Sequence, residues 1–173
     1  IHGWRSDAHV SSGRKIAGPR SARLLYIIMP DQTYIIYTDG GARGNPGPAA
    51  IGVVVKGPGM EKKEYGQYIG ETTNNVAEYR AVAFALHKLK QLIGSEKAKE
   101  SSVKMYIDSE LLVKQLNGEY KVKEATLQEL FLEIWNLRLD FGSIAFSHIP
   151  RESNSAADRM VNWALDREEN RLV

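Results

Sequence analysis

β-Branched and aromatic residues gather first in Thr33–Thr38, and apolar-rich runs follow at Ala49–Lys56 and Glu64–Ile69. Gly/Pro-rich stretches at 40–48 and 57–59 separate them, so the pattern predicts three strands joined by turns. Asn75–Ile93 then takes up the apolar spacing of a helix. Ser102–Ile107 reads as a fourth strand, and Glu110–Leu116 as a short helix stopped by Gly118. Thr126 and Glu129 form a capping box for a helix running to about Asp140, with Leu127, Leu130, Ile134 and Leu137 on its apolar side. Phe131 and Trp135 share that spacing and are expected in the core. Ile144–Ile149, ended by Pro150, is a fifth strand, and Ser155–Glu169 a final helix. The order β-β-β-α-β-α-α-β-α predicts an α/β fold, an antiparallel meander continued by parallel strands through helical crossovers.

Two of these strands are expected to end in an acid. Asp39 follows Tyr34–Thr38, and Asp108 follows Val103–Ile107. Aspartate is disfavoured in strands, and if the crossover makes the two strands parallel neighbours, both carboxylates stand at one sheet edge, where open α/β sheets carry their sites. Taken singly, each Asp is better explained as a turn starter or cap. Glu78 shares a helical face with Val82, Ala85, Leu89 and Leu92, and a carboxylate in an apolar stripe needs a donor, a metal or a proton. A capping box with Asn75 would account for its type but not for its place. Asp158 shares a face with Val161 and Leu165 in the first turn of the last helix, where the helix dipole alone would also favour it.

Composition narrows the chemistry that four such acids could perform. Among 173 residues there is no cysteine, which excludes disulfides, thiolate nucleophiles and Cys-type zinc sites. His87 and His148 are the only histidines beyond residue 28, which gives zinc or iron little support. Converging carboxylates instead suit hard divalent cations bound through oxygen, the arrangement of phosphoryl chemistry. No apolar run, Leu24–Met29 included, is long enough to span a membrane, and no signal-peptide pattern is expected. A cytoplasmic, monomeric protein is the expectation.

The net charge of +2 is unevenly placed. Arg5, Arg14, Lys15, Arg20 and Arg23 stand against Asp7 alone in residues 1–28, a surplus of +4, which leaves −2 for 29–173. Residues 1–23 have no apolar period and are expected to form a disordered basic arm. The chain begins with Ile1, and Met29 is followed at once by Pro30, Asp31 and the first strand. The expected division is an arm over 1–28, upstream of the functional unit, and one catalytic domain over 29–173.

Four segments together carry a family resemblance. Tyr37-Thr38-Asp39-Gly40-Gly41-Ala42-Arg43-Gly44-Asn45-Pro46-Gly47-Pro48, Thr72-Thr73-Asn74-Asn75-Val76-Ala77-Glu78, Asp108-Ser109, and His148 with Asp158 resemble type 1 ribonuclease H, in order, across essentially all of 33–170. The resemblance implies a five-stranded mixed sheet of order 3-2-1-4-5 flanked by helices. It implies metal-dependent, endonucleolytic hydrolysis of the RNA strand of RNA–DNA hybrids by a two-metal-ion mechanism, leaving 5′-phosphate and 3′-hydroxyl ends. Two Mg2+ ions are implied, with Mn2+ as substitute, and no small-molecule cofactor. By position, Asp39 would bridge both ions, Asp158 would help hold the one that activates water, and Glu78 and Asp108 would hold the other. Asn45, Asn74 and Asn75 match residues that contact the hybrid, including its 2′-hydroxyls, and Thr73 one that contacts a DNA-strand phosphate. His148 matches a histidine linked to catalysis or product release.

The chain also departs from the family. Glu110 stands where many members carry a substrate-contacting Gln. Ser147–Glu152 lacks the glycine-rich mobile loop around the histidine, and the basic, Trp-rich protrusion that grips the hybrid is missing. Weaker substrate grip, or help from the basic arm, is the expectation. An integrase or resolvase shares the sheet and acids, but the Asn45, Asn74 and Asn75 set argues for ribose discrimination. A binding module that has lost catalysis would not need all four acids.

Overall fold

The computed structural model describes residues 32–171; the arm expected over 1–28, and Met29 with it, lies outside the described residues. Strands β1 (Thr33–Ala42), β2 (Gly47–Gly57) and β3 (Met60–Thr72) form an antiparallel meander. Strands β4 (Ser102–Ile107) and β5 (Ser143–His148) add to β1 in parallel, giving the expected order β3-β2-β1-β4-β5. Helix α1 (Asn74–Ile93) and the short α2 (Ser95–Lys99) connect β3 to β4. Helices α3 (Glu110–Leu116) and α4 (Ala125–Arg138) connect β4 to β5, and α5 (Ser155–Arg171) closes the fold. Among the described residues, no helix is long and apolar enough to cross a membrane.

Helices cover both faces of the sheet. Neighbouring residues on a strand face opposite ways, and Gly40 lies against the Ala77–Glu78 backbone of α1, whereas Gly52, paired with Asp39, lies against Ala157 of α5. A Cβ at either glycine would collide with helix backbone, so glycine is what lets each helix start press onto the sheet. The larger core joins Ile36, Val53, Val82, Leu86, Leu89, Met105 and Ile134 on the α1 side. Ala50, Val161, Ala164 and Leu165 form a smaller cluster under α5. Burying a side chain such as Leu86 or Leu89 contributes about 1.5–3 kcal/mol.

Several expectations need correcting. Strand β1 does not end at Asp39; it runs on to Ala42, because Asp39–Ala42 pair with Gly52–Ala49. The first helix is capped by Thr73, whose Oγ1 accepts the Val76 N–H at 3.4 Å, rather than by Asn75. Glu78 therefore lies beyond the first turn and takes no part in a capping box. The Thr126–Glu129 box does not form either, since Thr126 is already inside α4 and Glu124 occupies the cap without a side-chain bond. Leu92 is 41% exposed and Trp135 48% exposed, so neither belongs to the core. Phe131 is only partly buried and stacks on Trp135 at 6.3 Å between centroids. Helix α2 and a 3-10 turn over Arg151–Asn154 have no counterpart in the sequence pattern.

Candidate active site

The parallel β1–β4 ladder ends at Thr38 opposite Ile107. Asp39 is the next residue on β1 and Asp108 the first after β4, so register sets the two carboxylates side by side at one sheet edge. Gly40 admits the start of α1 and brings Glu78 to the same edge; Gly52 admits the start of α5 and brings Asp158. All four acids line one open pocket, together with Arg43, Asn74, Arg151 and Asn162.

Crowding and burial set the charge state of this pocket. The Asp39 carboxyl is pushed up to about 6, first by burial and then by Asp108 and Asp158. Glu78 is pushed up to about 7, again by burial first, although the Ser109 hydroxyl beside it favours its charged form. Compensation comes from neighbours. Arg151 Nη2 donates to Asp158 Oδ1 at 2.9 Å, and Asn162 Nδ2 to Asp158 Oδ2 at 3.1 Å. Asn154, 1% exposed, donates through Nδ2 to the Thr38 carbonyl at 2.9 Å and to Asp108 Oδ1 at 3.2 Å.

The donor set fits a hard divalent cation: four carboxylates from four elements, with neither histidine nor cysteine in the lining. As they stand, no group of three or more His, Cys, Asp or Glu side chains among the described residues is drawn together to hold an ion. Asp158 is turned to Arg151 and Asn162, and Asp108 to Asn154. The chemistry of the pocket suits a cation while its side chains satisfy one another.

The remaining sequence candidates divide by location. Asn74 lines the acidic pocket and knits the β1–β2 loop to α1: its Oδ1 accepts the Ala42 N–H at 2.8 Å, and its own N–H donates to Asn45 Oδ1 at 3.1 Å. Thr73 is spent on the helix cap. Asn75, exposed, lines a separate groove with Leu111 and Tyr120 between α1, α3 and α4. Glu110 is exposed and bonded to Lys114 at 2.6 Å, which holds its carboxyl below the usual range. His148 closes β5, exposed and outside the pocket lining, near enough to Glu110 to lower it further. His87 is a surface residue beside Glu133 at 3.1 Å.

Arg151, Asn154 and Asn162 were not singled out by sequence reasoning. Asn162 was recoverable, because it lies one helical turn from Asp158. Arg151 and Asn154 depend on the 3-10 turn, for which Pro150 is the only local sign. Arg43, also in the lining, is held by Asp166 and Glu169 of α5.

A family model described as reverse transcriptase-like matches residues 37–164. Ribonuclease HI of Halobacterium salinarum is 34% identical over 171 residues, covering 95% of this chain and 83% of that protein. Bifunctional protein Rv2228c of Mycobacterium tuberculosis is 40% identical over 134 residues, 76% of this chain, and the match spans only 35% of that protein's length. Among solved structures, LC11-RNase H1 in complex with an RNA/DNA hybrid superposes with a TM-score of 0.73 at 49% identity, covering 78% of this chain and 98% of that one. That relative was isolated from compost by a metagenomic approach. RNase H1 of the halophilic archaeon Halobacterium salinarum superposes with a TM-score of 0.71 at 34% identity, over 78% and 98% of the two chains.

Proposed function

The chain belongs to the ribonuclease H family, and from that premise we propose that it is an endonuclease that hydrolyses the RNA strand of RNA–DNA hybrids. The observation that carries this reading is the convergence of Asp39, Glu78, Asp108 and Asp158, from four separate elements, on one pocket. Two hard divalent cations, magnesium or manganese, supply activation of water and stabilisation of the leaving oxygen when bound there, with 5′-phosphate and 3′-hydroxyl products. Asp39, Glu78, Asp108 and Asp158 are the residues that would hold them.

The chain's own groups prepare that chemistry. Ser109 and Asn154 orient Glu78 and Asp108, and Arg151 and Asn162 orient Asp158. Asn45 and Asn74 present short amides at the pocket's edge, suited to the shallow minor groove of a hybrid with its 2′-hydroxyls. Thr73 and Asn75 flank Asn74 at the start of α1, with Asn75 lining the neighbouring groove. Glu110 meets the substrate side as a pair with Lys114 rather than as a bare charge. For His148, outside the pocket lining, a part in catalysis or product release rests on the family resemblance. The hybrid is the partner, bound by a monomer.

Incubation with an RNA–DNA hybrid, double-stranded DNA and double-stranded RNA, each with magnesium or manganese, tests the reading. Cutting of the hybrid's RNA strand is expected. Cutting of double-stranded DNA alone would point to the integrase or resolvase class, and binding without cutting to a module that has lost catalysis.

A further inference from the structure

Away from the acidic pocket, α5 carries a second chemistry on its outer side. Arg159, Trp163, Arg167 and Arg171 follow one another at i, i+4, i+8 and i+12, and all four are exposed. At a rise of about 1.5 Å per residue the stripe is about 18 Å long. It runs beside β3, an edge strand of the sheet with one side unpaired among the described residues.

Trp163 is the centre of this surface. The residue is 47% exposed and forms a wall of three adjoining clefts, one of which is floored by Gly66, Gln67 and Tyr68 of β3. A Cβ at Gly66 would press on Met160 and on the Trp163 ring, so the glycine is what leaves the indole room beside the strand. Arg167 lies over the ring at 5.2 Å from its centroid and has no carboxylate partner among the described residues. Among the described residues Arg171 meets only Glu168, at 3.7 Å, and Arg159 stands near Glu64, which Lys62 already pairs at 2.7 Å. Asp166 and Glu169, the remaining nearby acids on α5, are occupied by Arg43. The stripe is thus net positive around one large exposed indole.

A cationic track with an aromatic platform is what binds single strands of nucleic acid without reading sequence: arginines meet phosphates and the ring stacks a base. We propose that the Arg159–Trp163–Arg167–Arg171 stripe is a second nucleic-acid site, which takes a single-stranded segment extending beyond the duplex held at the acidic pocket. The inference rests on the hybrid-cleaving reading for its placement on the substrate. The stripe turns about one residue round the helix from Asp158 and Asn162, so a strand leaving the pocket over α5 meets Arg159 and then Trp163.

Fluorescence anisotropy of a labelled oligothymidylate of about 16 nucleotides, titrated with the full chain in EDTA, tests the proposal without any cleavage. Trp163→Ala, and separately Arg167→Gln with Arg171→Gln, should each weaken binding at least about fivefold. Cleavage of a blunt hybrid should be unchanged in all of them, which also reports that the variants fold. Cleavage of a hybrid with a long single-stranded RNA extension should gain KM and keep kcat. Failure of the wild type to bind the oligonucleotide, or equal binding by wild type and variants, overturns the proposal. So does a change in sedimentation of the free protein on Trp163→Ala with oligonucleotide affinity unaltered, which would make the stripe a protein-docking face. Absence of blunt-hybrid cleavage by the wild type would instead sink the functional reading, and the oligonucleotide titration would still decide the site.

Discussion

Arg151 reaches from the 3-10 turn to Asp158 on the first turn of α5 and pairs with it at 2.9 Å. The arginine is 79% exposed and its partner 27%, so the pair spans the boundary between solvent and the acidic pocket. Its position gives Asp158 a cation before any metal or substrate arrives.

Removing that cation should change the site more than the fold. Exposed pairs of this kind contribute at most about 1 kcal/mol, so Arg151→Gln should leave the urea midpoint nearly unchanged. With its competitor gone, Asp158 is freed for a divalent ion, and the metal concentration that gives half-maximal hybrid cleavage should fall. A metal titration of activity checks this; an unchanged or higher half-saturating concentration would show that Arg151 does not hold Asp158 against the ion.

Stability should depend on pH through the two raised acids. Asp39 at about 6 and Glu78 at about 7 bind protons more tightly in the folded protein than in the unfolded chain, where carboxyls titrate near 4. Their contribution is most favourable at low pH, falls as pH rises from about 4 to about 7, and levels off above that. Thermal melting in EDTA across this window, compared with Asp39→Asn and Glu78→Gln, isolates it from the surface carboxylates. Each variant should gain stability relative to wild type as pH rises, and magnesium should narrow the gap by stabilising only the wild type.

Asn154 should behave as a positioning residue. Asn154→Ala removes the bonds to the Thr38 carbonyl and Asp108 from a buried site, at a cost of about 1–3 kcal/mol. Hybrid cleavage should fall with a raised half-saturating metal concentration, a shift that simple loss of stability would not produce. Denaturant unfolding and metal titration of the same variant separate the two effects.

Gly52→Ala should damage fold and site together. The added methyl would collide with the Ala157 backbone one residue before Asp158, and helix backbone cannot yield as a side-chain tip can. A loss of about 1–3 kcal/mol or more in urea unfolding is expected, with activity reduced beyond the fraction unfolded. Gly59→Ala is a useful contrast, since its Cβ would meet nothing while its φ of 68° still disfavours alanine.

Much of this was readable from residue patterns, and the failures have physical causes. Ser102–Ile107 and Glu110–Leu116 match their observed bounds because apolar period and helix-stop signals agree there. Strand β1 was cut short because Asp39, Gly40 and Gly41 carry turn preferences, which pairing with β2 overrides. Asn75 is the expected cap, but Thr73, two residues earlier, takes it, and that shift removes Glu78 from any capping box. Trp135 follows the spacing of buried leucines, but spacing cannot say where a helix face meets solvent. The four acids were legible individually; their convergence needed the strand register and the two glycine contacts. Arg151 and Asn154 were not legible, because their roles come from a turn with no periodic signal.

The central claim is that the four-acid pocket cuts RNA in a hybrid with divalent metal. The most direct measurement is single-turnover cleavage of a hybrid labelled on its RNA strand, with wild type and Asp39→Asn, in magnesium and in EDTA. Metal-dependent cutting of the RNA strand by wild type, none in EDTA, and a loss of at least about 10³-fold in Asp39→Asn are expected, as for removal of a group that acts at the reacting centre. Wild-type activity that survives EDTA, or an Asp39→Asn variant that cuts as wild type does, would contradict the account.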